Sequence, residues 1–293
     1  MSLESIRYRD WSGRLRPSWF ACWPIARTGL LLVLRRKLFW ILLGLALFNF
    51  LFLFAMIYLK FQFVSQRPGM ARFIDGILSA ATGTGETYRD FMSAQASVTM
   101  LLLAFAGAML VGDDMRQGGL TFYLSRRVGR WHYVVGKLLS IGLLVSLTTT
   151  IPALILFVQY GYLTDSTDYF SENLGILRGI LGYGLVLSIT LSLLLFAMAS
   201  WLQKTVPLVM SWAFVFLMLP ALAELLRSAF DDRHWRLMAL WHDIRLMGTW
   251  CFGGIDTNRE LQLLPPAVVI VLLVCVFSLI AIIPRVRAVR VVQ

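Results

Sequence analysis

Six stretches of the chain are free of charged residues and apolar enough to cross a bilayer: 38–59, 91–112, 138–160, 179–203, 205–223 and 267–283. As a helix the first would be about 33 Å long, which matches the hydrocarbon thickness of a membrane. The pattern predicts an all-α membrane protein with six transmembrane helices. Polar interruptions inside these runs are few. Asn49 stands alone in the first, while Gln95, Ser97 and Thr99 cluster in one half of the second. In the third, Thr148, Thr149 and Thr150 precede Pro152, where hydroxyls can satisfy carbonyls freed by the missing N–H, and a kink is expected. Gly175, Gly179, Gly182 and Gly184 at the start of the fourth allow close helix packing. Pro207 and Pro220 interrupt the fifth run, Pro265 and Pro266 open the sixth, and Pro284 closes it.

The segments between the runs differ in character. Residues 1–37 hold eight basic residues against Glu4 and Asp10, together with Trp11, Trp19, Phe20 and Trp23. Over 19–37 apolar and basic residues alternate in the manner of an interfacial helix, broken at Pro24. A signal peptide is not indicated, because the first apolar run starts at residue 38 and lasts 22 residues. The longest connection, 224–266, is rich in Trp235, Trp241, Trp250 and Phe252 and suits a membrane interface. It reads equally as a re-entrant or interfacial loop and as a folded outer loop capped by tryptophan. Residues 284–293 form a short basic tail.

Composition fixes the class. The 293 residues are 58% hydrophobic and only 15% charged, with a mean hydropathy of +0.73. A net charge of +11 does not point to nucleic acid, because the basic residues are interleaved with apolar spans. It reports topology instead. With both termini cytoplasmic, the inner segments carry 17 basic and 4 acidic residues, and the outer loops carry 10 basic and 12 acidic. That bias is the one cytoplasmic loops show, and it predicts a multi-pass protein of the plasma membrane, such as a bacterial inner membrane. Cys22, Cys251 and Cys275 are scattered without CxxC spacing, so neither a disulfide framework nor a metal site is indicated.

The loop 113–137 stands out. Five basic residues face only Asp113 and Asp114, and the apolar patch LTFYL at 120–124 lies between a glycine pair and an arginine cluster. A loop whose apolar residues dip into the headgroups is one reading. The sequence Asp114, Gly119, Leu120, Leu124, Ser125, Arg126, Arg130, Tyr133, Gly136, Lys137 also resembles the cytoplasmic loop of type-2 ABC transporter permeases. One departure is Arg127, where members of that family often have proline. The resemblance implies that this loop contains a coupling helix that docks on a separate ATPase subunit, present in two copies, which binds ATP and Mg. It further implies a second permease copy or homologous half, a pathway between the halves lined mainly by spans two and five with help from span one, and short re-entrant helices in 224–266.

What the sequence lacks agrees with that division of labour. No predicted span has an ionisable residue in its interior, which argues against an ion-coupled carrier. There is no HExxH or GxSxG, and His132, His234 and His242 fall in loops, where solvated or interfacial histidines are expected. The nearest approach to a P-loop runs from Gly129 to Gly136 and Lys137 and fails on spacing and on the hydroxyl, so the chain carries no catalytic site or cofactor of its own. By polarity, Asn49, Gln95, Thr99 and Ser211 are the candidates for the pathway, with interhelical hydrogen bonding as their alternative role. Three functions remain: an exporting permease subunit, a mechanotransmission subunit acting on an extracytoplasmic partner, and a membrane scaffold or channel without an ATPase.

Overall fold

A computed structural model describes residues 17–66, 82–118, 129–164, 168–254 and 258–286. Among the described residues the chain is all-helical, and six helices are long and apolar enough to cross a membrane. A 3-10 turn, Ser18–Ala21, leads into α1, Cys22–Leu34. The six long helices are α2 (Lys37–Gln66), α3 (Gly85–Arg116), α4 (Arg130–Leu163), α5 (Leu174–Leu202), α6 (Thr205–Phe230) and α8 (Asn258–Arg285). The shorter α7, Leu240–Cys251, lies between α6 and α8 after a 3-10 turn, Arg233–Met238.

The long helices overrun the apolar stretches at most ends, because charged residues such as Glu86, Arg89, Arg130 and Lys137 extend them without leaving the helical path. Three expectations about proline are corrected. Pro24 does not break the interfacial helix but sits in the first turn of α1, where its missing N–H has no intrahelical partner to lose. Pro265 and Pro266 do not open the last span; α8 starts at Asn258 and passes through both. Pro207 falls in the first turn of α6 and leaves it intact, whereas Pro220 lies two residues past the end of a π-helical turn, Phe214–Met218. A proline ring clashes with the carbonyl four residues back, here that of Phe216, and a widened turn relieves the clash. The expected break in α4 falls at Thr149, with the Thr148 and Thr149 hydroxyls donating to the Val145 carbonyl at 3.1 and 2.8 Å.

Helix α5 is the hub. It packs on α3, α4, α6, α7 and α8; 61% of its apolar window is buried and 67% of that of α3, against 11% for α2 and 22% for α6 and α8. The outer three helices therefore present mostly apolar surface to whatever surrounds the bundle, as a membrane span must. Polar groups join the helices: in the core Gln95 donates to the Ala46 carbonyl at 2.9 Å and Trp212 to the Met100 carbonyl at 3.0 Å, and the half-buried Ser146 and Ser188 hydroxyls meet at 3.2 Å. In an apolar medium each bond also removes the cost of leaving a polar group unpaired.

The stretch expected to form an outer loop is largely helical. Helix α6 runs to Phe230, and α7 buries Leu240, Ile244 and Leu246 against its neighbours. Phe252 at its end fits over Gly179 of α5, where a β-carbon would collide with the ring.

Candidate functional site

The end of the bundle that carries residues 113–137 is built around one buried cation. Tyr133 and Lys137 lie four residues apart on α4 and face the same way. The Lys137 ammonium pairs with Asp114 Oδ2 at 2.6 Å and donates to the Leu110 carbonyl at 2.5 Å, and its side chain is only 6% exposed. The Tyr133 hydroxyl donates to the same carboxylate oxygen at 3.3 Å. Leu110 belongs to a second π-helical turn, Ala108–Gly112. Lys137 thus bridges α4 to the widened turn of α3 and to the carboxylate just beyond it.

Glycine explains why α1 belongs to this junction. A β-carbon on Gly136 would lie 2.8 Å from Ile25 Cβ, and one on Gly29 would lie 2.6 Å from the Ser140 hydroxyl, so α1 and α4 approach to backbone contact. Gly112 is equally tight against the Gln203 carbonyl in the turn between α5 and α6. Gln203 adopts the left-handed conformation there, with φ 53°. Three helices and that turn meet at this end.

The positions singled out from the sequence are distributed as follows. Asp114, Gly136 and Lys137 come together in the junction, and Arg130 is exposed at the first residue of α4. Gly119, Leu120, Leu124 and Arg126 lie outside the described residues. Gln95 and Thr99 are buried, Gln95 bonded to α2 and Thr99 to the Thr148 hydroxyl of α4 at 2.7 Å. Asn49 is half-buried and lines a cleft of about 310 Å³ between α2 and α3 with Thr87, Glu86 and Asp90; its amide nitrogen has no hydrogen-bond partner. Ser211 is half-buried beside Trp212.

At the opposite end the structure brings together residues that the sequence reading passed over. A cleft of about 430 Å³ opens between α6, α7 and the starts of α3 and α8, with Arg89, Arg236, Arg245, Glu224 and Glu260 on its walls. His242 also lines it, and burial together with Arg236 and Arg245 holds its imidazole below the ordinary histidine range. The three arginines sit on three different elements, and no local spacing signals that they converge. His234 is exposed and bound to Asp232, and His132 lies half-buried in the first turn of α4.

Asp243 on α7 is fully buried, and neither carboxylate oxygen has a hydrogen-bond partner. Burial alone pushes its carboxyl up to about 8. The folded chain then holds a proton that the unfolded chain releases, so stability falls as pH rises from the usual carboxylate range toward 8. Thermal unfolding of the detergent-solubilised chain is expected to show a midpoint that declines between about pH 4 and about pH 8 and levels off above that. Asp243→Asn is expected to flatten that decline, and an unchanged slope in the variant would assign the pH dependence to other groups.

Neither a protein-family model nor a curated protein matches this sequence. Among the described residues no group of histidine, cysteine and acidic side chains could hold a metal ion.

Proposed function

We propose that the chain is the membrane subunit of an ATP-driven transporter, with residues 113–137 as the cytoplasmic segment through which a separate ATPase acts. The observation that carries this reading is the buried Lys137 junction. A loop that transmits force must be fixed to the helices it moves, and here both of its flanks are tied together by Asp114, Tyr133 and Lys137. Through Gly136 and Gly112 the same point is packed against α1 and the α5–α6 turn, so displacement of the loop would be felt by most of the bundle at once. The resemblance of residues 114–137 to type-2 ABC permease loops supplies the identity of the partner: an ATPase in two copies, with ATP and Mg bound there.

The chain sits in the plasma membrane with both termini cytoplasmic, works as one half of a dimer, and exports a substrate along a pathway between the halves. Asn49, whose amide nitrogen is unpaired among the described residues, and the half-buried Ser211 are the better pathway candidates. Gln95 and Thr99 hold α2, α3 and α4 together. Helix α7 takes the place of the re-entrant helices at the far end.

Mild-detergent purification of the tagged chain from its native membrane tests the proposal. An ATP-binding subunit is expected to co-elute in a one-to-one ratio, with vanadate-sensitive ATP hydrolysis. A chain that elutes alone and without ATPase activity, while still folded by thermal melting, would leave a scaffold or channel as the reading.

A further inference from the structure

The cleft at the far end has a definite chemical character. Arg89, Arg236 and Arg245 approach it from α3, the 3-10 turn and α7. Arg89 is engaged with Asp90 through its Nε at 2.9 Å, and Arg236 with Glu224 through its Nε at 3.4 Å. In both, the terminal nitrogens of the guanidinium are left outside the ion pair. Glu224 is shared between Arg236 and Arg227, so its charge is already answered. Among the described residues Arg245 has no ion-pair partner, and it is exposed. Among the described residues, Glu260 is the lining carboxylate without an ion-pair partner. The balance in the cleft is therefore positive.

Its position adds a second constraint. Pro220 and Ala223 of α6 and Leu246 of α7 form the apolar wall, with Trp241 beside them. Here α6 leaves its apolar stretch: Leu217, Met218 and Leu222 before the cleft are exposed apolar side chains, and Glu224 and Arg227 are the first charges after it. A span end with tryptophan and arginine alongside is where lipid headgroups lie.

We propose that this cleft binds a phosphate-bearing anion, its phosphate held by the guanidiniums of Arg245, Arg236 and Arg89 and its apolar part lying against α6 and Leu246. Planar guanidinium groups match phosphate oxygens in pairs, and three converging from separate elements select that geometry over a diffuse charge attraction. The source with both parts is an anionic phospholipid, and a soluble phosphate shares the head alone. The site is independent of the transporter reading, because it requires neither a partner chain nor turnover.

Native mass spectrometry of the full chain, stripped of lipid in detergent and titrated with dioctanoyl phosphatidylglycerol, tests it, with inorganic phosphate as competitor. Saturable binding of one lipid is expected, weakened about tenfold or more by Arg245→Gln and strengthened by Glu260→Gln, which removes the opposing carboxylate. Arg245 is exposed and unpaired, so its variant should melt like the wild type. Competition by inorganic phosphate at similar concentration identifies the free anion as the ligand; lipid binding without competition identifies the phospholipid. Absence of saturable binding by both overturns the proposal. So does lipid binding that Arg245→Gln leaves unchanged or that Glu260→Gln weakens.

Discussion

Replacing Lys137 with methionine is expected to loosen the whole loop end of the bundle. The substitution keeps the length of the side chain but strands Asp114 without its cation and removes the donor to the Leu110 carbonyl. Breaking a fully buried pair costs about 3–5 kcal/mol; Asp114 keeps 24% exposure, so about 2 kcal/mol is the expected loss. In a chain of this size that lowers the thermal midpoint by roughly 5 °C. Asp114→Asn alone should also destabilise, since it leaves the ammonium buried. The double variant should recover much of the loss, because it removes both charges together. Strictly additive effects of the two single changes would show that the pair does not hold the junction. Under the proposed function, Lys137→Met should also reduce the ATPase retained on purification.

A larger effect on the partner is expected from the apolar patch itself. Burying one leucine side chain in a groove of another protein is worth about 1.5–3 kcal/mol. Leu120→Asp combined with Leu124→Asp removes that gain twice and adds two charges that must stay hydrated. Retention of the ATPase should drop by well over tenfold, to the point of loss during purification. Arg126→Ala and Arg130→Ala should weaken retention less, and the difference from wild type should shrink at high salt, where screening has already reduced the attraction. All these variants should remain in the membrane fraction, since the six apolar helices are untouched. Wild-type retention by the leucine double variant would reassign 113–137 to a topological loop.

The six long helices were legible because their signal is local: unbroken apolar runs of about the right length leave no other solution in a bilayer. Their ends were less so, since a helix does not stop where hydrophobicity does. Glu86, Arg89 and Arg130 prolong α3 and α4 past the apolar core, and Pro265 and Pro266 pass inside α8 in place of starting it. Part of the candidate site was also visible. Asp114, Gly136 and Lys137 stand out through the family resemblance, but the physical tasks of those residues depend on one another and on Ile25 and Leu110, which only folding brings near. The arginine cleft was invisible for the same reason carried further. Arg89, Arg236 and Arg245 each look like an ordinary loop charge, and only the packing of α7 on α5 and α8 assembles them. Asp243 reads as one more charge of the outer segment, because no spacing in the sequence marks it as a residue that α7 turns inward.

The two π-helical turns make α3 and α6 unlike the other spans. Each turn holds one residue more than the α-helical ladder would allow, so everything beyond it is rotated by about 100° relative to a regular helix. In α3 the shift falls between the core-facing stretch that ends at Gly107 and the carboxylate of Asp114. In α6 it separates Trp212, anchored to α3, from the wall of the arginine cleft at Pro220 and Ala223. These helices are thus phased twice: one angular register faces the core, and another faces the end of the bundle. A point substitution within 108–112 leaves that second register in place. Loss of a single residue there would reset it, turning Asp114 away from Lys137 while every span kept its length and hydrophobicity.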